Sequence, residues 1–247
     1  MLSEFKFTNA YRASDRTSQY LIRDVIYDRP RPFRDVFARV LLFKLFNRVE
    51  TWRLLENAVG DIDAARIHDS ELELVLGDAM RRGERIYSAA YIMPSARHFG
   101  SNRKHVNHLR LLRVMLRDRA DERIADSPGP ADAYRILLGY PSIGPFLGYQ
   151  IVTDLSYSPQ LHFRESEFVA AGPGARDGLR KCFTEPGDLS AEDIIRWTMD
   201  TQIEQFAANG QEFDERALPL NPLHDMRDRG GYSRHGRWAP LALTKML

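Results

Sequence analysis

The sequence predicts an all-α protein, and three observations carry that expectation. Apolar residues recur at three- and four-residue intervals in four long segments, Pro- and Gly-rich breakers separate those segments, and alternating strand patterns are scarce. In 35–57, Val36, Val40, Phe43, Phe46/Asn47, Thr51 and Leu54/Leu55 mark one helical stripe. In 70–80, Leu72, Leu74, Val75 and Ala79 repeat the pattern behind an N-cap candidate at Ser70 or Asp69. Val106, Leu109, Leu112, Val114 and Leu116 predict a helix over 105–119, and Ile194, Ile195, Trp197, Ile203 and Phe206 one over 190–208. The breakers are DRPRP at 28–32, MPS at 93–95, DSPGP at 126–130 and TEPG at 184–187. From Leu218 onward periodicity gives way to an Arg/Gly-rich tail, so the expected organisation is one helical domain over 1–217 and a tail over 218–247.

Of 247 residues 43% are hydrophobic, which argues against wholesale disorder, and no run of eighteen apolar residues predicts a membrane span. With one cysteine, Cys182, and no leader pattern, the expectation is a cytoplasmic protein without disulfides or a Cys-rich zinc site. No ligand cluster suggests a metal. The net charge is +1, yet only five of the 35 basic residues are lysines (Lys6, Lys44, Lys104, Lys181 and Lys245). A GC-rich genome gives such a bias, and so does phosphate recognition, for which arginine's planar fork is suited. Charge is also segregated. The stretch 97–123 holds eight basic residues against three acidic ones, including Arg103 and Lys104, with His105 beside them; 50–78 and 185–215 are strongly acidic. Separate stretches of opposite sign give either a basic face for nucleic acid, or helix surfaces that pair with each other.

Residues 132–140 read as a short helix, Pro141-Ser142-Ile143-Gly144-Pro145 as a tight turn, and 146–155 as a second helix. This is the helix-hairpin-helix pattern. Gly144 allows close backbone approach, and N–H groups opening the second helix, next to Ser142, Ile143 and Gly144, suit a DNA phosphate. An ordinary helix–helix connection has the same composition. In DNA glycosylases built on this hairpin a catalytic carboxylate follows about twenty residues later, where this chain has Glu165 and Glu167. No lysine stands in the hairpin, which disfavours a Schiff-base lyase.

Five segments in order, FTNAYRASDRTSQ (7–19), LFKLFNRVETW (42–52), IYSAAYIMP (86–94), IGPFLGYQ (143–150) and EFVAAGPGARDG (167–178), carry a more specific resemblance over roughly residues 4–183. The chain resembles the glycosylase-fold enzymes of phage thymine hypermodification, described as the helical domain of 5-hydroxymethyl-deoxyuridine (5-hmdU) DNA kinase or as α-glutamyl/putrescinyl-thymine pyrophosphorylase-like proteins. The resemblance implies a two-lobed helical fold in which the N-terminal helix packs with the C-terminal lobe around a central lobe of about 34–155. It implies a monomer acting on double-stranded DNA, with a free amino acid such as glycine as co-substrate and no other cofactor. The reaction would replace the phosphate of 5-phosphomethyl-deoxyuridine by the amine, on a base taken out of the stack. A glycosylase, or a non-catalytic DNA-binding module of a kinase system, are the alternatives; no G-x-x-x-x-G-K-[ST] loop supports kinase chemistry in the chain itself.

That chemistry requires cations for the leaving phosphate and the amino acid carboxylate, and a base for the attacking ammonium. Glu167 is the expected base on the strength of the resemblance, with Glu165 as fallback. Arg12, Asp15, Arg16 and Gln19 have helical spacing and are expected on one face, where Arg12 and Arg16 hold an anion and Asp15 orients them, unless they are intrahelical ion pairs alone. Gly172 and Gly174, followed by Arg176, would open a helix as an anion cradle. Asn47 is a candidate base-recognition or wedge residue. Trp52 and Tyr149 are expected in the core.

Overall fold

The structure, a computed structural model, describes residues 13, 15–89, 93–163, 167–183 and 187–210. All regular elements among them are helical, as the periodicity predicts. The chain divides into two compact units, 16–163 on one hand and 1–15 with 164–247 on the other. The first contains α1 (Arg16–Tyr20), α2 (Phe33–Phe46), α3 (Val49–Val59), α4 (Glu71–Arg81), α5 (Lys104–Arg117), α6 (Ala120–Ala125), α7 (Pro130–Leu138) and α8 (Pro145–Ser156). The second contains α9 (Pro173–Cys182) and α10 (Ala191–Ala208). None of these helices is long and apolar enough to cross a membrane.

Helix α2 is the axis of the larger unit. Every residue from Val36 to Phe46 is buried, as expected of a helix that is apolar on all sides. It packs against α3, α5, α6 and α8. Two buried cations sit within it. Lys44 meets Asp154 of α8 at 2.8 Å, with both side chains sealed from solvent. Arg39 donates Nε to Val25 O (2.7 Å), Nη1 to Ile62 O (2.9 Å) and Nη2 to Asp24 O (3.2 Å). Its guanidinium also lies 4.9 Å from the centre of the Trp52 ring. The carbonyls of Asp24 and Val25 belong to a π-turn, Leu21–Ile26, that continues α1. Helix ends leave carbonyls without intrahelical partners, and Arg39 satisfies them from inside the core.

The helical stripe over 35–57 is broken at Asn47. Helix α2 stops at Phe46, and Asn47 takes the left-handed conformation (φ 48°), its N–H bonding Phe43 O at 2.6 Å. Asparagine is one of the few non-glycine residues that tolerate this geometry, so the chain turns there and restarts as α3. The expected four-residue face at the N-terminus is corrected. Helix α1 begins at Arg16, so Arg16 and Gln19 share a face while Asp15 precedes the helix; Arg12 lies outside the described residues.

The predicted hairpin forms between α7 and α8. Gly148 is required by packing, because a Cβ there would meet Leu138 and Tyr134 at 3.3 Å. Gly144 is not: its φ is −84° and a Cβ would meet nothing within 4 Å. The left-handed residue of the turn is Ser142 (φ 71°). Trp52 and Tyr149 are buried, as expected. In the second unit, Ser190 and Asp193 form a reciprocal capping box that opens α10 where the sequence places it. Val169, Ala175, Leu179, Ile194 and Ile195 make its small core.

Arg39→Met is expected to cost about 3–5 kcal/mol, because it strands buried carbonyls and the carboxylates of Asp28 and Asp61 that flank the guanidinium. Arg39→Lys should recover only part, since one ammonium cannot reach three divergent carbonyls. Urea denaturation measures both; a loss below about 1 kcal/mol for Arg39→Met would contradict this role.

Candidate functional site: an arginine-lined cleft

A strap of chain, 84–89, lies against the corner between α2 and α3. Ser88 N–H bonds Phe46 O (2.9 Å), Thr51 Oγ1 donates to Ile86 O (2.8 Å), and Arg48 donates to Arg85 O. These contacts satisfy carbonyls at the end of α2 and along the strap. Between strap, corner and α1 opens a cleft of about 610 Å³. Arg16, Gln19, Tyr20 and Arg23 form one wall, Asn47, Arg48, Glu50 and Arg53 a second, and Arg85, Tyr87 and Ser88 the third.

Five arginines face one glutamate across this cleft, and they are not equivalent. Arg23 pairs with Asp24 at 2.7 Å, Arg48 with Glu50 at 2.9 Å, and Arg53 lies 5.3 Å from the Tyr20 ring centre. Among the described residues, the guanidinium groups of Arg16 and Arg85 have neither a carboxylate nor a hydrogen-bonding partner. Two uncommitted cations in a concave site attract an anion, and the planar fork suits phosphate or carboxylate.

The Tyr87 wall is held from behind. Its ring stacks on Phe46 (centroids 5.0 Å apart), and Lys104 Nζ lies 4.2 Å from its centre. Its hydroxyl meets His108 Nδ1 at 3.1 Å, while His108 Nε2 meets Pro94 O at 2.7 Å. A carbonyl accepts only, so Nε2 carries the proton and Nδ1 accepts from the tyrosine. Burial pushes the Tyr87 hydroxyl pKa up. It lowers His108 to about 4; the bond to Pro94 O opposes that shift, and Lys104 and His105 reinforce it.

Of the residues the sequence singled out, the cleft brings together Arg16, Gln19 and Asn47. Asp15 falls in the other unit, as do Glu167, Gly172, Gly174 and Arg176. Glu167 is exposed. Gly172 caps α9 as expected, but Arg176 is engaged internally, on Glu192 at 3.0 Å and Ala171 O at 3.2 Å. These contacts close the start of α9 onto α10. Ser142, Ile143 and Gly144 lie on the hairpin, outside the cleft; Ile143 is buried by its side chain while Gly144 is exposed. Arg103 is exposed at the start of α5. Lys104 is half-buried against Tyr87, and His105 is buried, so His105 is corrected from a DNA-facing residue to a core one. Burial lowers its pKa. The basic stretch is partly spent inside the unit as well, since Arg113 pairs with Glu73 of the acidic α4 and donates to Ile67 O and Asp69 O. Glu165 lies outside the described residues.

Sequence reasoning missed Arg23, Arg48, Arg53, Arg85 and Tyr87. Arg23 was within reach, because Arg16, Gln19 and Arg23 follow i, i+3, i+7 spacing. Arg85 and Tyr87 stand in a strap without periodicity; Tyr87 falls in the 86–94 segment of the resemblance, but no spacing marks either as a site residue.

Fold and site define an all-helical protein with a cationic cleft opening beside a buried aromatic–histidine wall. The chain belongs to the family described as 5-hmdU DNA kinase, helical domain, whose model matches residues 1–228. It is similar to the 5-hmdU DNA kinase of Bacillus phage SP10, at 21% identity over 215 residues, which is 79% of this chain and 33% of that protein. The chain thus spans about a third of the length of the curated relative it matches. No solved structure matches it.

The histidine wall makes stability pH-dependent. His108 has a folded pKa of about 4, below the ordinary histidine value of about 6.5, so its contribution is complete above pH 6.5 and is lost as pH falls toward 4. About 2 kcal/mol should disappear between pH 7 and pH 5. His108→Gln should flatten that slope in urea midpoints across this range; an unchanged slope would exclude His108 as its source.

Proposed function

We propose that the chain is an amino acid:DNA transferase of thymine hypermodification, which replaces the phosphate of 5-phosphomethyl-deoxyuridine in duplex DNA with the amine of an amino acid, glycine first. The observation that carries this reading is the cleft in which Arg16, Gln19 and Asn47 meet four further arginines. Family membership supplies the context: the relative's name describes a kinase acting on 5-hmdU in DNA, and a phosphorylated 5-hydroxymethyl group is what such a kinase leaves behind.

In the reaction, the amine nitrogen bonds to the 5-methylene carbon while the carbon–oxygen bond to phosphate breaks. Inorganic phosphate departs with the electron pair, and the proton of the attacking nitrogen passes to a carboxylate. Arg16 neutralises the phosphate and Asn47 reads the extruded uracil, and the family resemblance offers Glu167 as the base that takes the proton. The hairpin around Ser142–Gly144 and the exposed Arg103 hold the DNA backbone; the open space over Gly144 supports close approach by a ligand rather than by the protein itself. One observation favours a second reading, a non-catalytic helical module serving a kinase, because the chain corresponds to a third of one.

Incubation of 5-phosphomethyl-deoxyuridine duplex with glycine, followed by nucleoside mass analysis, should yield a glycine adduct and one phosphate per adduct. Abasic sites would indicate a glycosylase, and unchanged DNA with a panel of amino acids would leave the module. Glu167→Gln should slow turnover by about 10²–10⁴ while sparing DNA binding. Arg16→Ala should lower kcat/KM by about 10²; wild-type kinetics in either variant would remove that residue from the mechanism.

A further inference from the structure

A second recess, of about 190 Å³, adjoins the cleft and shares Arg48, Glu50 and Arg85 with it; Glu84, Thr51 and Leu54 complete its rim beside Ile86. We propose that this recess is a binding site for a free α-amino acid zwitterion, with Arg85 holding the carboxylate and Glu50, supported by Glu84, holding the ammonium. The inference deepens the transfer reading, because it gives the amine donor a place separate from the phosphorylated base.

The charges select the ligand. Two arginines and two glutamates line the recess, whereas the large cleft is cationic nearly throughout. A phosphate would meet two carboxylates in the recess, and a simple cation would meet two guanidinium groups. A small molecule carrying both signs satisfies both pairs. Arg85 is the available cation, since Arg48 is occupied by Glu50 and by the Arg85 carbonyl. Glu50 is largely exposed and is bound on one oxygen, Oε2, by Arg48. Its own backbone N–H, and then Arg48, hold its pKa below the usual carboxylate range, so it remains an ionised acceptor rather than a base. Glu84 is tied by Arg82 at 2.6 Å, which leaves its second oxygen as an acceptor. The Thr51 hydroxyl spends its proton on Ile86 O, so its oxygen can only accept, which matches an ammonium and not a carboxylate. The volume admits an amino acid with a small side chain over the hydrocarbon of Leu54 and Ile86, and is too small for a nucleotide.

The test titrates ¹³C-glycine, alanine and serine against the full chain, with and without 5-phosphomethyl-deoxyuridine duplex, and measures KM for glycine in the transfer assay. Saturable glycine binding is expected, weakened about tenfold or more by Glu50→Gln and by Arg85→Gln, as for loss of a charge-assisted hydrogen bond. Acetate or methylammonium alone should not compete at concentrations where glycine saturates. If acetate competes as well as glycine the recess is an anion site, and if no amino acid binds, or if both variants bind like the wild type, the proposal fails. Transfer with an unchanged glycine KM in both variants would remove the subsite and keep the function. Glycine binding that both variants abolish, without any transfer to DNA, would keep the subsite and remove the function.

Discussion

The larger unit is assembled around one buried guanidinium. Arg39 is sealed from solvent, yet it reaches carbonyls of the π-turn after α1 and of the loop after α3, and it lies over Trp52 of α3. Burial disfavours its charge, and Asp28 opposes that first among its neighbours. Replacing a buried ion together with all its partners by apolar groups costs little, but removing the ion alone leaves those partners unsatisfied and is costly, so the segments it touches have one low-energy arrangement. Removing the cation frees all of them together. The position of α1, and with it Arg16, Gln19 and Arg23, follows from that constraint.

The cleft inherits its shape from two further restraints of the same kind. The left-handed turn at Asn47 ends α2 and exposes the Phe46 carbonyl, which the strap then occupies through Ser88. Tyr87 is fixed by Phe46 on one side and His108 behind. Asn107, one residue before His108 on α5, bonds Ser95 O at 3.0 Å and Ser101 O at 2.8 Å, so a single turn of α5 orders both the wall and the loop that follows it. Asn107 and His108 are both buried and paired, the arrangement that rigidifies a site without obstructing its mouth. Cations presented from a preorganised wall lose little entropy when an anion arrives, which is the condition under which guanidinium contacts gain most.

Much of this was legible in the sequence where periodicity or a breaker supplied a signal. The helices α4, α5 and α10, and the α7–α8 pair, stand where apolar spacing and Pro-Gly clusters place them, and the capping box at Ser190 is a local signal that tertiary contacts reinforce. Asn47 was singled out for its polarity within an apolar stripe, and the structure gives it a different distinction, a backbone conformation that the stripe conceals. The α2–α3 break was not legible, because Val36 through Leu55 keep helical spacing across it and the corner is set by contacts with a strap some forty residues away. Arg16 and Gln19 were legible by spacing, while Arg85 and Tyr87 were not, since a non-periodic strap acquires meaning only from what it packs against. His105 shows the converse error: a histidine in a basic run reads as surface, but a place on the buried face of an amphipathic helix decides burial before charge does.

The excess of arginine over lysine acquires a structural cause from the same contacts. Arg39 caps Val25, Ile62 and Asp24; Arg34 caps Leu116 O at 3.1 Å; Arg113 caps Ile67 and Asp69; Arg110 caps Phe99 O at 2.7 Å; and Arg48 caps Arg85. These carbonyls lie at the ends of short helices and turns, which a protein of many short helices has in abundance. One planar group with five donors can satisfy two or three of them while still pairing with a carboxylate, as Arg34 does with Asp121 at 3.0 Å. Lysine, a point charge, cannot. The fold therefore consumes arginines for its own backbone. Composition could not separate this use from phosphate recognition, because both uses favour the same side chain for the same reason, the geometry of its fork. Committed and uncommitted guanidinium groups differ only in what lies within reach, and at Arg16 and Arg85 what lies within reach is the cleft.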